Sequence, residues 1–261
     1  MAHSRQFEQH VPEYMEAESN LDCINVLGVK IHCVDMAKTM ETIRRYIADG
    51  KPHMLVTADA SGVSLAQRDK DFREIVNTAD LVTPDGSGIL WAGRRLGTPL
   101  IERVSGVDIA RKLCAMAALD GFSVYFLGAA PGVAAQAADR LRNEYPGLQI
   151  AGIHDGFFGD AESTSIAAEI KASRAKALLV AMGIPRQEKW IRKHLNETGV
   201  CVAMGVGGTF DVFSGNARRA PAWMQRHGLE WLFRLAMNPR KISKVAELPR
   251  FAAMVMRGKK S

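Results

Sequence analysis

Asp85 is the carboxylate best placed for chemistry in this chain. It directly follows the apolar run Asp80–Thr83 and is wedged between Pro84 and Gly86. A carboxylate held at the end of a strand, in a partly closed cleft, can accept a proton from a hydroxyl. The same position would also suit the cap of a helix over Gly86–Leu96, and spacing leaves both roles open. Asp59 and Asp155 pose the same choice, with a cap or turn role expected for each. His154 is a lone histidine and is expected to be structural. Asp69-Lys70-Asp71 has the DxD spacing that can hold a divalent ion. It opens a helix-like stretch (Phe72, Ile75, Val76) away from every strand end, so its acids are expected to be first-turn dipole complements. Cys23, Cys33, Cys114 and Cys201 form no CxxC pair, which disfavours a zinc site or a disulfide framework. Neither a metal nor a cofactor is expected.

The elements that must position these residues alternate. Strand-like runs cover His53–Thr57, Asp80–Thr83, Phe122–Leu127, Leu148–Ile153, Ala177–Met182 and Val200–Val206, with amphipathic stretches between them. Met36, Met40, Ile43 and Ile47 recur at helical spacing after Asp35, a good N-cap. Pro131 and Pro185 are expected in the first turns of helices. Ile24–Val34 reads as a short hairpin. The fold class is α/β: a Rossmann-like, mostly parallel sheet with helices on both faces, followed by a basic helical C-terminal appendage. With 261 residues there is ample length for a core. The expected divisions are a loose arm over 1–22, a catalytic domain over 23–217 and the appendage over 218–261.

Ligands of an open parallel sheet bind beyond the carboxyl ends of its strands. Those ends are Thr57-Ala58-Asp59, Thr83-Pro84-Asp85-Gly86, Gly128-Ala-Ala-Pro-Gly132, His154-Asp155-Gly156, Gly183-Ile-Pro-Arg-Gln187-Glu188 and Gly205-Val-Gly207-Gly208-Thr-Phe-Asp211. Glycines permit close backbone approach, and helix N-termini offer N–H groups to an anion, so a nucleotide diphosphate is the natural occupant. Gly128, Gly183, Gly207, Gly208 and Asp211 are its candidate contacts. Gly128-x-x-x-Gly132 is not GxGxxG, which weakens a dinucleotide reading, and no GxxxxGK[ST] loop occurs.

Several segments together resemble one family, the WecG/TagA/CpsF glycosyltransferases. They are Leu81-Val-Thr-Pro-Asp85-Gly, Arg103-Val-Ser-Gly-Val-Asp108, Phe126-Leu-Gly128, His154-Asp-Gly-Phe-Phe158, Gly183-Ile-Pro-Arg-Gln187-Glu-Lys-Trp190 and Gly205-Val-Gly-Gly-Thr-Phe-Asp211. Arg219-Ala-Pro-Ala-Trp223 and Gly228-Leu-Glu-Trp-Leu-Phe-Arg234 follow in order. The resemblance implies an inverting, metal-independent transferase. It would move a sugar, often N-acetylmannosamine, from a UDP donor to a polyprenyl-diphosphate-linked saccharide during surface polymer assembly. It implies Asp85 as catalytic base, Thr57 and Gln187 lining the site, and Arg219 and Arg234 closing over the diphosphate; Arg103 is a further phosphate candidate. One departure stands out. The family usually has Asn where this chain has Asp59. An ionised Asp can only accept hydrogen bonds, which opens glucose or a uronic acid as alternative sugars.

Charge is unevenly spread. From Arg218 to Ser261 there are eleven Lys or Arg against two acids, Glu230 and Glu247, so the tail carries +9 in a chain whose total is +6. Its partner is expected to be anionic: a phosphate-bearing substrate and an anionic membrane surface. Leu229, Leu232, Phe233, Ala236 and Met237 make one apolar helical face, expected to pack on the body. Leu248, Phe251, Val255 and Met256 make another, for which packing and an interfacial position both stand. No apolar run is long enough to cross a bilayer and no secretory signal is evident. The expected location is therefore the cytoplasm, and the family resemblance implies peripheral association with the inner membrane face. The tail aromatics sit mainly on apolar helical faces, which disfavours a nucleic-acid partner. A homo-oligomer is compatible with the sequence.

Overall fold

The structure, a computed structural model, describes residues 21–237 and 242–258. It opens on an antiparallel hairpin, β1 (Cys23–Val26) and β2 (Val29–His32). The two-residue connection places Leu27 and Gly28 at φ 54° and 81°, the left-handed pair that matches the twist of a tight hairpin. Helix α1 (Met36–Asp49) follows, capped by Asp35, whose carboxylate accepts from Lys38 N–H at 2.7 Å.

Six parallel strands form the main sheet: β3 (His53–Ala58), β4 (Leu81–Pro84), β5 (Ser123–Gly128), β6 (Gln149–His154), β7 (Ala177–Ala181) and β8 (Val202–Gly205). Their spatial order is β4-β3-β8-β7-β5-β6. β7 and β8 are buried throughout, which is why they read as unbroken apolar runs. The hairpin covers the open edge of β4, where His32 Nδ1 accepts from Val82 N–H at 2.9 Å.

Two apolar layers flank the sheet. One is built on α1, α5 (Gly106–Asp120), α6 (Val133–Glu144) and α9 (Thr209–Phe213). The other uses the hairpin with α2 (Ala60–Ala66), α3 (Lys70–Thr78), α4 (Ser87–Leu96), α7 (Asp160–Ser173) and α8 (Arg186–Thr198). The last helix, α12 (Ile242–Gly258), joins this second layer: Phe251 is 1% exposed and Val255 is fully buried against α2 and α4. Phe251 and Val255 of its apolar face are therefore spent on the core, while Met256 is exposed.

Two expectations are corrected. Pro131 lies outside a helix: α6 starts at Val133, after a turn with Ala129 and Gly132 at φ 63° and 80°. The first tail helix forms as α11 (Glu230–Met237), preceded across Gly228, at φ 72°, by the short α10 (Ala222–Arg226), but it is packed less fully than expected. Trp223, Trp231 and Leu232 are exposed and Met237 is 59% exposed, so this apolar surface is left uncovered by the body.

At the end of the sheet opposite the strand tips, His53 stacks on Tyr46 with ring centroids 3.8 Å apart. Its ring nitrogens face Asp49 at 3.0 Å and Asp80 at 3.2 Å. Burial opposes the charged ring, but the two carboxylates outweigh it and raise the His53 pKa. A raised histidine stabilises the fold fully below its unfolded value of about 6.5, and that stability is lost as pH rises through the folded value. Wild-type protein is therefore expected to lose its melting-temperature advantage over His53→Gln as pH rises from below about 6.5 into the alkaline range. Parallel melting curves across that range check this; a constant difference refutes it.

Candidate active site

β3 ends at Thr57-Ala58, and Asp59 caps α2 by accepting from Gly62 N–H at 2.7 Å. An asparagine oxygen would cap equally well. Asp59 thus has a structural use that either residue could serve. Its neighbour strand β4 continues into Asp85, whose N–H donates to Ala58 O at 2.8 Å, while Pro84 O accepts from Val104 N–H at 2.8 Å.

The cap role for Asp85 on its own helix does not hold. α4 begins at Ser87 with Gly86 at the N-cap and φ 90°. The Asp85 carboxylate instead accepts from Gly106 N–H, the first residue of α5, at 3.1 Å. Ser105, the N-cap of α5, makes no side-chain cap bond, so a carboxylate from another element fills that place. Thr57 is alongside: a Cβ on Gly106 would stand 3.4 Å from the Thr57 hydroxyl. Thr57, Asp85 and the start of α5 are thus gathered at one point of the rim.

Two arginine–carboxylate pairs flank it. Arg219 holds Asp108, in the first turn of α5, through both terminal nitrogens at 2.5 and 2.6 Å. Burial opposes ionisation of Asp108, yet Arg219, aided by Arg103 and Arg111, outweighs it and keeps the carboxyl below its ordinary range. Arg103 pairs with Glu230 of α11 at 2.8 Å. The field of Arg219 also reaches Glu230 and Asp85. Arginines expected over a diphosphate are thus held beside Asp85 by internal acids. Sequence reasoning passed over Asp108 and Glu230. The signal for Glu230 was its rarity in a basic tail: both tail acids pair with body arginines, Glu247 meeting Arg68 at 3.0 Å. The Arg234 side chain lies outside the described residues.

The glycine rim needs correction. Gln187 is only 3% exposed, and its amide oxygen accepts from Gly183 N–H and Gly207 N–H, both at 3.0 Å. Its amide nitrogen donates to Glu188 at 2.7 Å. These two glycine N–H groups are therefore committed internally, and Gln187 ties the β7 and β8 loops together from beneath the rim. Gly128, buried at φ 116°, serves close packing: a Cβ there would fall 2.5 Å from Ala181 O. Gly208 is exposed, and Asp211 is half-buried in the first turn of α9. Phe157, also passed over, is 75% exposed on the loop after β6. Asp155 holds that loop by accepting from Phe157 N–H at 2.8 Å, and Arg186 donates to the carbonyls of Gly156 and Phe158. His154 Nδ1 donates to Asp155 O at 2.8 Å, a structural bond as expected.

Asp69 caps α3 through Phe72 N–H at 2.9 Å, and Lys189 bridges Asp69 and Asp71 at 2.9 and 3.0 Å. These acids are neutralised within the fold. Among the described residues no three His, Cys, Asp or Glu side chains are grouped to hold a metal ion.

The sequence profile of the glycosyl transferase WecG/TagA/CpsF family matches residues 24–261. The chain belongs to the WecG/TagA/CpsF family. It is accordingly a glycosyltransferase. A relative from Bacillus spizizenii (strain W23) is 34% identical over 212 residues, covering 81% of this chain and 82% of the relative. One from Staphylococcus aureus (strain MW2) is 31% identical over 248 residues, 94% of this chain and 97% of the relative. Both are named N-acetylglucosaminyldiphosphoundecaprenol N-acetyl-beta-D-mannosaminyltransferase. Within the WecG/TagA/CpsF chain described here, the rim residues named above come from the ends of all six parallel strands and the first turn of α5.

Proposed function

We propose that this chain transfers N-acetylmannosamine, with inversion and without a metal, from a UDP donor to a polyprenyl-diphosphate-linked saccharide. The observation that carries this is Asp85, held on the N-terminus of α5 with Arg219 and Arg103 at its sides. The relatives' names supply the substrate classes.

In this reading Asp85 takes the proton of an acceptor hydroxyl as that oxygen bonds the anomeric carbon. The bond from that carbon to UDP breaks, and UDP leaves with the electron pair. Guanidinium forks suit the growing phosphate charge, so Arg103, Arg219 and Arg234 stabilise the leaving group. Thr57 orients the reacting sugars. Gln187 positions the two glycine loops, and Phe157 offers a flat apolar face for the nucleobase. Residues 218–261 form a closing appendage on the 23–217 body. The exposed Trp231, Leu232 and Met237, with exposed Arg250 and Arg257, suit an anionic membrane surface at the cytoplasmic face, where a lipid-linked acceptor resides. The helix α12 contributes none of its buried face to that surface. Of the remaining tail cations, Arg240, Lys241, Lys259, Lys260 and the Lys244 side chain lie outside the described residues.

The test is a panel of UDP-sugars with a short prenyl-diphosphate N-acetylglucosamine acceptor, with and without EDTA. Turnover is expected with UDP-N-acetylmannosamine and unchanged by the chelator. Turnover only with another donor, or loss of activity in EDTA, overturns the proposal.

A further inference from the structure

Beside Asp85, between α4 and α10, a cleft of about 460 Å³ is lined by Ser87, Arg94, Arg103, Gln225, Arg226 and His227. None of Arg94, Gln225, Arg226 and His227 belongs to the rim described above. Ser87 is two residues from Asp85, so the cleft opens next to the proposed base. Its walls are fixed internally. Ser87 Oγ donates to Gly228 O at 3.3 Å, Gln225 Nε2 donates to Ala220 O at 2.7 Å, and His227 Nδ1 donates to Trp223 O at 2.7 Å. A Cβ on Gly228 would stand 2.8 Å from the Ser87 Cβ, so the α10–α11 turn is seated directly on α4.

The cleft is electrically unbalanced. Arg103 is compensated by Glu230. Arg94 and Arg226 are both exposed and have no ion-pair partner among the described residues. Two guanidinium forks on opposite walls, with no acid among the lining residues, make a site for an anion with several oxygens on more than one centre. Each arginine also has a tryptophan three residues before it: Trp91 before Arg94 on α4, and Trp223 before Arg226 on α10. That spacing places both members of each pair on one helical face. Both indoles are exposed. Each wall thus offers a phosphate fork beside an apolar platform.

We infer that this cleft binds the diphosphate of the prenyl-diphosphate acceptor, with Trp91 and Trp223 carrying its first isoprene units. The inference rests on the transferase reading above and deepens it: the diphosphate in the cleft leaves the attached saccharide facing Asp85. Arg219 does not line the cleft and is left to the nucleotide diphosphate, while Arg103, which lines it, stands between the two anions.

Calorimetric titration of the full chain with farnesyl diphosphate, inorganic pyrophosphate and UDP tests this. Farnesyl diphosphate is expected to bind at least about tenfold more tightly than pyrophosphate, given what buried CH₂ groups contribute. R94Q/R226Q is expected to weaken farnesyl diphosphate by about 10- to 100-fold, as loss of charge-assisted bonds implies, with UDP unchanged. R94K/R226K recovers part of the loss, and W91A/W223A weakens farnesyl diphosphate but not pyrophosphate. In steady state R94Q/R226Q raises KM for the lipid-linked acceptor and leaves KM for the donor as it was. Melting curves verify that these exposed substitutions leave the fold intact. Unchanged farnesyl diphosphate affinity in R94Q/R226Q overturns the inference, as does an equal loss of UDP binding. Pyrophosphate binding as tightly as farnesyl diphosphate also overturns it, leaving only a general anion site. If the wild type transfers no sugar to any prenyl-diphosphate acceptor, the transferase reading fails, and the farnesyl diphosphate titration still decides the cleft by itself.

Discussion

Asp85→Asn is expected to lower kcat by about 10²- to 10⁴-fold, the usual worth of a general base, with binding of the UDP-sugar unchanged. Asparagine has nearly the same shape, and its oxygen can still accept from Gly106 N–H, so the start of α5 stays satisfied. What is lost is the capacity to take a proton. Single-turnover rates with lipid-linked acceptor, set beside calorimetry with the donor, separate the two quantities. A variant that turns over at the wild-type rate removes Asp85 from the chemistry. A variant that loses donor binding as well would make Asp85 part of the nucleotide pocket instead.

The second large effect concerns α12. Phe251 is 1% exposed and approaches the Gly88 position of α4, with its Cε1 3.7 Å from where a Cβ on that glycine would lie. Truncating a buried phenylalanine costs about 3–5 kcal/mol through lost transfer energy and the cavity left behind. Phe251→Ala is therefore expected to shift the urea midpoint strongly in protein never exposed to lipid. Binding of the folded variant to phosphatidylglycerol vesicles should match wild type. The opposite pattern, unchanged unfolding with lost vesicle binding, would place this face in the membrane interface.

The central strands β7 and β8 were legible because they are buried throughout and read as continuous apolar runs, and for all six strands the observed bounds differ from the expected ones by at most two residues. The rim was legible for a topological reason, since parallel strands bring all their carboxyl ends to one side. The partners of the rim residues were hidden. Asp85 meets Gly106 across 21 residues and Arg103 meets Glu230 across 127, and no local spacing encodes such pairs. The glycine N–H groups were misjudged because a donor at a strand end can be satisfied by a buried amide as readily as by a ligand. Gln187 does this for Gly183 and Gly207. In the tail, amphipathic periodicity identified apolar faces correctly but carries no information on what covers each. The sheet-side layer had room for α12 and left α11 largely uncovered.

The two acids of the tail bear on how the appendage can be dissected experimentally. Glu230 and Glu247 fasten it to Arg103 and Arg68, and Phe251 and Val255 complete the layer over α2 and α4. Deleting everything after residue 217 is consequently a core deletion, which bares apolar surface and strands two arginines. A deleted chain that fails to act reports on folding before it reports on lipid. Neutralising the outward-facing Arg250 and Arg257 leaves both fastenings in place, and so separates the appendage as a covering from the appendage as a charge.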